Sequence, residues 1–302
     1  MITQDGFKSG FVALVGRPNV GKSTLTNKLV GQKLAIMSDK PQTTRNKITA
    51  VLTTDNAQLV FIDTPGIHKP KHKLGEYMVN VAQNVLHEVD VVLFLVEADQ
   101  KEIGPGDRYI IEQLSEIKTP VILVINKSDL VEHSALLPVI EIYRHAMDFD
   151  QIIPVSAVTG LNVENLISML VDLLPEGPQY YPDDMITDQP ERAIIKEIIR
   201  EKVLHMTREE IPHCVAVEIE EIKPRKNELV YVRAVIFTER ESQKGIIVGK
   251  SGQFLKKIGE LARGEIENLL GSKVYLDLWV KVRKDWRNKD NFLKDFGYVL
   301  KE

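Results

Sequence analysis

The octapeptide Gly16-Arg17-Pro18-Asn19-Val20-Gly21-Lys22-Ser23 limits what this chain can fold into more than any other stretch. It follows the apolar run Phe11 to Val15 and leads into Thr24-Leu25-Thr26-Asn27-Lys28-Leu29. The pattern predicts a buried strand, a GxxxxGKS loop and an amphipathic helix, in the order a phosphate cradle requires. Gly16 and Gly21 let the backbone turn so that successive N–H groups and the helix N-terminus face anionic oxygens. Lys22 brings a point charge to the outer phosphates, and the Ser23 hydroxyl can hold a magnesium ion. The octapeptide, with Thr24 behind it, is therefore a candidate site for a nucleoside triphosphate.

At 302 residues the chain has room for two domains. No apolar run approaches the ~20 residues of a membrane span. Met1 to Gly10 lacks the apolar core of a signal peptide, which predicts a cytoplasmic protein. The lone cysteine, Cys214, excludes an internal disulfide framework and, within His213 to Ile219, reads as a buried inert thiol. Charge is divided unevenly. Residues 1–190 carry 16 Lys+Arg against 24 Asp+Glu, whereas residues 191–302 carry 23 against 19, which puts a polyanion partner on the second part.

Ala35 to Lys47 is polar and turn-rich. Strand-like runs at Ile48 to Thr53 and Leu59 to Ile62 flank Thr54-Asp55-Asn56-Ala57, which predicts a hairpin. The second run ends in Asp63-Thr64-Pro65-Gly66, where ligands bind in open α/β sheets. Further apolar runs at Val91 to Val96, Val121 to Ile125 and Ile152 to Val155 alternate with helical patterns at 74–87, 106–117, 134–147 and 162–174. This predicts an α/β fold with a mostly parallel sheet, helices on both faces and one antiparallel edge from the 48–62 pair. Two strand ends carry Asn126-Lys127-Ser128-Asp129 and Ser156-Ala157. An aspartate at position 129 can accept the two N–H donors of guanine, which adenine lacks. Lys127 can lie along the base, Asn126 can tie this loop to the phosphate loop, and the Ser156-Ala157 turn can offer an N–H to guanine O6.

Together Gly16 to Ser23, Thr44, Asp63 to Gly66, Asn126 to Asp129 and Ser156-Ala157 resemble the five signature elements of translational and ribosome-assembly GTPases, over residues 11 to about 174. The stretch 175–190, with four prolines, reads as an extended linker. Asp188 and Glu191 form a candidate capping box, with Pro190 in the first turn of a helix whose apolar face is Ile194, Ile195, Ile198, Ile199 and Val203. Strands near 214–220 and 230–237, an amphipathic piece at 242–248, the tetrad Gly249-Lys250-Ser251-Gly252, a helix at 253–270 and a strand at 273–282 follow. That order is similar to a type II KH domain, an α+β unit whose GxxG loop meets a nucleic-acid backbone. Arg240, Lys244, Lys256 and Lys257 flank the tetrad. In the basic tail Lys281 to Lys289, Trp286 reads equally as a stacking platform or a core residue. Trp279 is expected to pack on the core. The run Lys223-Pro224-Arg225-Lys226 reads as a solvated hairpin tip.

The domain plan is thus a G domain at 1–174, a linker at 175–190 and a KH domain with a C-terminal helix at 191–302. The whole chain resembles the Era family of bacterial GTPases, through GRPNVGKS, the QTTR of residues 42–45, Met185-Ile186-Thr187-Asp188 and the EIIREK of residues 197–202. The resemblance implies GTP hydrolysis with magnesium by a monomeric switch that binds the 3′ region of 16S ribosomal RNA and assists 30S subunit maturation. It also implies peripheral inner-membrane association in some bacteria. By the same resemblance Thr44 meets magnesium and the γ-phosphate, with Thr43 the nearest alternative. Asp63 holds the ion through water, and the Gly66 N–H senses the γ-phosphate, so Lys22, Thr44 and Gly66 form the catalytic set. Ile67 stands where Ras-like enzymes carry a water-orienting glutamine, which predicts slow intrinsic hydrolysis. Asn19 is a candidate potassium ligand, and His68 reads as part of a solvated switch loop. Two other readings are a membrane-linked signalling switch and an RNA-binding module with GTP as a static ligand.

Overall fold

The computed structural model describes residues 6–40, 42–67, 69–225 and 229–300. His68 and Lys226 lie outside them. Two compact units divide the chain, one made of 1–37, 44–71 and 75–188, the other of 38–43, 72–74 and 189–302.

The first unit follows the alternation of apolar runs with amphipathic segments. Its elements are β1 (Lys8–Gly16), α1 (Lys22–Val30), β2 (Ile48–Thr53), β3 (Ala57–Asp63), α2 (Lys73–Leu86), β4 (Val91–Glu97), α3 (Pro105–Leu114), β5 (Val121–Asn126), α4 (His133–Arg144), β6 (Gln151–Pro154) and α5 (Val163–Leu173). The sheet order is β2-β3-β1-β4-β5-β6, all parallel except the β2–β3 hairpin at one edge. Strand alternation sends Val12 and Leu14 to one face, under Leu25, Leu29, Leu166 and Leu170 of α1 and α5. Ala13 and Val15 go to the other, under Ala82, Ile110, Leu114 and Val139 of α2, α3 and α4. Both faces are therefore dry, and the polar loops collect at the carboxyl ends of the strands.

Residues 175–188, expected as a linker, are extended but anchored. Val51 of the edge strand donates to Ile186 O at 2.8 Å, Ser9 to Pro175 O at 3.2 Å, and the Thr187 hydroxyl to Thr49 O at 2.6 Å. Gln58 Oε1 accepts from the N–H groups of Tyr180 and Tyr181. The segment thereby meets donors and acceptors that an edge strand would otherwise leave open.

In the second unit α6 (Glu191–Met206), α7 (Ile211–Cys214), β7 (Ala216–Pro224), β8 (Leu229–Thr238), α8 (Glu241–Val248), α9 (Gln253–Leu270), β9 (Lys273–Val282) and α10 (Asp290–Asp295) follow in order. β8 pairs antiparallel with β7 and parallel with β9. Ile195, Ile199, Ile247, Ile258, Ala262 and Ile266 of the helices pack on the inner sheet face. The expected capping box does not form. Pro190 itself is the N-cap of α6, with no side-chain cap, and Asp188 accepts from the Tyr181 hydroxyl at 3.4 Å.

The two tryptophans resolve in opposite senses. Trp286 is fully buried, its indole N–H donating to Cys214 O at 2.8 Å and its ring edge-on to Phe296, so it is a core residue. Trp279, expected in the core, is 55% exposed. On β9, Val274, Leu276, Leu278 and Val280 pack inward, and the two-residue period puts Tyr275, Asp277 and Trp279 on the outer face. Cys214 is buried, as expected. No described helix is long and apolar enough to cross a membrane.

Candidate nucleotide site and GxxG surface

The phosphate loop links the end of β1 to α1, so its N–H groups and the start of the helix share one end of the sheet. Lys22, the first residue of α1, is buried, and its Nζ donates to Gly16 O at 3.1 Å and Arg17 O at 3.0 Å. Burial pulls its pKa down to about 8 despite the opposing field of Asp63.

Asp63 closes β3 and is fully buried. Its Oδ2 accepts from Ser23 Oγ at 2.7 Å and Thr44 Oγ1 at 3.4 Å, and the two hydroxyls lie 2.8 Å apart. Thr43 turns its hydroxyl to Lys40 O instead. Asp63 Oδ1 is buried with no hydrogen-bond partner among the described residues. Loss of water lifts the carboxyl to about 6, against the pull of Lys22, Ser23 and Thr44. Two hydroxyls converging on a carboxylate with an unsatisfied oxygen form a hard all-oxygen donor set, which fits magnesium.

The DxxG segment lies against the phosphate loop. Thr64 donates its hydroxyl to Leu14 O at 2.6 Å, Gly66 abuts Pro18, and the Ile67 N–H donates to Gly16 O at 3.2 Å. The Ile67 side chain is buried in the sheet-to-helix core and offers nothing to a water molecule.

At the ends of β5 and β6, Asn126 donates to Val20 O at 2.8 Å and accepts from the Ala157 N–H at 3.0 Å. One amide thus ties the phosphate loop to both base-side loops. The Ser156 N–H donates to Leu161 O, so both N–H groups considered for guanine O6 already have acceptors. Asp129 is exposed. Lys127 has a left-handed backbone (φ 63°) and pairs with Glu97 at the end of β4. Glu97 also faces Arg17, whose Nε donates to Asp107 at 2.9 Å, and Asp107 accepts from the Tyr143 hydroxyl at 2.9 Å. Sequence reading missed Glu97, Asp107 and Tyr143. Glu97 could have been found, since it is the acidic end of a continuous apolar strand.

In the second unit α8 stops at Gly249 (φ 72°), where a Cβ would lie 2.5 Å from Cβ of Phe254. Ser251 is also left-handed (φ 51°), and Gly252 caps α9. Lys250, Ser251, Lys256 and Lys257 are exposed around this turn, and Lys244 is half-buried. Lys244 and Lys256 each face a glutamate on their own helix at 3.9 Å. Arg240 is the N-cap of α8, a full helix length or about 12 Å from the tetrad. A groove of about 390 Å³ beside the tetrad is lined by Gly252, Leu255, Lys256, Gly259, Arg263 and Tyr275, of which Gly252 and Lys256 were anticipated.

Residues 11–127 match the family of 50S ribosome-binding GTPases, and residues 210–287 match the KH domain. The chain is similar to a variant of Aquifex aeolicus Era crystallised with GDP and aluminium fluoride, at 44% identity and a TM-score of 0.94, covering 97% of this chain and 100% of that one. The same values hold for Era crystallised with MgGDPNP and nucleotides 1506–1542 of 16S ribosomal RNA.

Proposed function

This chain belongs to the Era family of GTPases, and from that membership we propose a switch whose KH unit takes the 3′ region of 16S ribosomal RNA and whose GTP cycle serves 30S subunit maturation. It hydrolyses GTP to GDP and phosphate, with magnesium as cofactor. The observation that carries the reading is the convergence of Ser23, Thr44 and the half-satisfied Asp63 beside Lys22. Magnesium, when bound, offsets charge on the outer phosphates.

Lys22 exchanges two carbonyl partners for phosphate oxygens, a stronger charge-assisted pairing. The Gly66 N–H senses the γ-phosphate, and Asp129 takes the guanine donors. Hydrolysis frees the Thr44 and Gly66 loops, which is the two-state element of the switch. With Ile67 buried, the side chain after DxxG does not orient the attacking water, and the intrinsic rate is slow. Asn19 is proposed as the ligand of a potassium ion that supplies the missing charge. Equal rates in potassium and sodium, or a potassium effect that survives Asn19→Ala, would remove that role.

On the RNA side, the related protein holds a segment far longer than the roughly four nucleotides a GxxG loop clamps. Gly249→Asp combined with Gly252→Asp should abolish binding of 16S 3′-end RNA by a protein that still binds GTP. Retained RNA affinity would sink the proposal. We place the protein in the cytoplasm as a monomer. Flotation with anionic vesicles in the absence of RNA would favour a membrane-linked switch instead.

A further inference from the structure

The outer face of the β7-β8-β9 sheet meets the GxxG groove only at Tyr275, and it carries the most exposed aromatic residues of the second unit. Tyr275 and Trp279 are each 55% exposed, on one face of β9 and about 13 Å apart along the strand. That separation is too long for one base to cover both rings, so each would hold its own.

Tyr275 is held in place. Tyr275 stacks on Tyr231 of β8, with centroids 5.9 Å apart and planes 17° off parallel, and the Arg225 guanidinium lies 4.1 Å over the Tyr231 ring. Asp277, midway between Tyr275 and Trp279, accepts from the Tyr231 hydroxyl at 2.7 Å and from Arg233 Nε at 3.1 Å. A ring already ordered loses little entropy when a partner stacks on it.

Charges of both signs on this face are largely paired with one another. Glu218, Glu220 and Glu221 stand on β7, the far strand, and two of them are paired, Glu220 with Lys281 and Glu221 with Lys223. Beside the aromatics, Arg233 of β8 is paired with Asp277, Lys273 faces Glu267 at 4.0 Å, and the Arg225 guanidinium lies over the Tyr231 ring and 5.9 Å from that of Tyr275. Two exposed aromatic rings on one strand face, one of them ordered by stacking beside the Arg225 guanidinium, suit a single-stranded nucleic acid, where stacking supplies affinity without base specificity. β9 is also an edge strand, and Tyr275 lines the GxxG groove on its other side. A strand leaving the groove can therefore pass round this edge without crossing another element.

We propose that Tyr275 and Trp279 form a second single-stranded RNA subsite on the outer sheet face, continuous with the GxxG groove. The inference rests on the RNA-binding reading above and extends it to flanking nucleotides.

The test compares two RNAs from the 16S 3′ end, a fragment of about four nucleotides that fills a GxxG cleft and one of roughly twelve. Trp279→Ala should weaken the longer RNA about tenfold, leave the shorter one unchanged and keep the salt slope intact, because a ring and not a phosphate contact is lost. Trp279→Phe should restore most of the affinity. Trp286 is buried, so quenching of tryptophan emission by the longer RNA should vanish in both variants. Equal losses for both lengths, or wild-type emission that the longer RNA leaves unchanged, would overturn the subsite. So would a concentration-dependent dimer, seen by sedimentation, that Trp279→Ala dissolves, since the edge would then serve a second copy of the chain. If Gly249→Asp with Gly252→Asp removes binding while Trp279→Ala has no effect, only this inference falls. If neither changes RNA affinity, the parent reading falls with it.

Discussion

Lys22 and Asp63 are opposite charges buried in one pocket, and each is pushed toward neutrality by loss of water. Their signs of linkage differ. Asp63 is raised to about 6 in the fold, so the stability it contributes is complete below its unfolded value near 4 and is lost as pH rises through 6. Lys22 is lowered to about 8, so its contribution is present above the unfolded value of 10.5 and is lost as pH falls through 8. At neutral pH the nucleotide-free protein therefore carries both penalties. Acidification from pH 7 to 5 should raise the Asp63 contribution by an amount on the order of 1 kcal/mol. Thermal denaturation of the nucleotide-free protein, set against Asp63→Asn, isolates this slope, which should be absent in the variant. Binding of magnesium and GDP should also release protons near pH 6, as Asp63 ionises. Titration calorimetry in buffers of different ionisation enthalpy reads that release, and pH-independent proton exchange would refute it.

At the scale of elements, the GxxG turn allows a sharper comparison than the presence of two glycines suggests. Gly249 and Gly252 are both left-handed, but only at Gly249 would an added Cβ strike a neighbour, Phe254, whereas nothing lies within 4 Å at Gly252. Gly252→Ala should cost about 1 kcal/mol of backbone strain, and Gly249→Ala more, on the order of 2–3 kcal/mol, since α9 must shift as well. Urea denaturation of the two variants measures the difference, and equal losses would mean that the Phe254 contact gives way freely. The same distinction marks what was legible in the sequence. Strand ends and their polar tetrads were visible because continuous apolar runs stop abruptly, as at Asp63 and Asn126. Trp279 was misplaced because its phase on β9 depends on which alternate set meets the helices, and aromatic character alone favours the core. Trp286 could not be decided, since its burial depends on Phe296 and on Cys214 O, far away in the chain. The Asp188 capping box matched a local pattern, but Pro190 took the cap position. Residues 175–190 read as an extended linker because proline content reports extension and not the edge-strand bonds that extension permits.

For the whole molecule, the sequence divides sharply in charge, with an acidic nucleotide-binding part and a basic RNA-binding part. A GTP site with slow intrinsic turnover serves poorly as an engine but well as a timer, provided that nucleotide state and RNA occupancy share free energy. Linkage then requires that a non-hydrolysable GTP analogue change RNA affinity by the same factor by which RNA changes the affinity for the analogue. Couplings of this kind fall at about 1–3 kcal/mol, or roughly 5- to 150-fold. The expected outcome is a closed cycle in which two RNA titrations, with and without the analogue, match two titrations of the analogue, with and without RNA. RNA affinity carries a steep salt dependence, so all four belong at one ionic strength. Matching factors above fivefold would establish the timer. Factors of one in both directions would confine RNA to an effect on the hydrolysis rate, because a ligand with equal affinity for both states shifts neither.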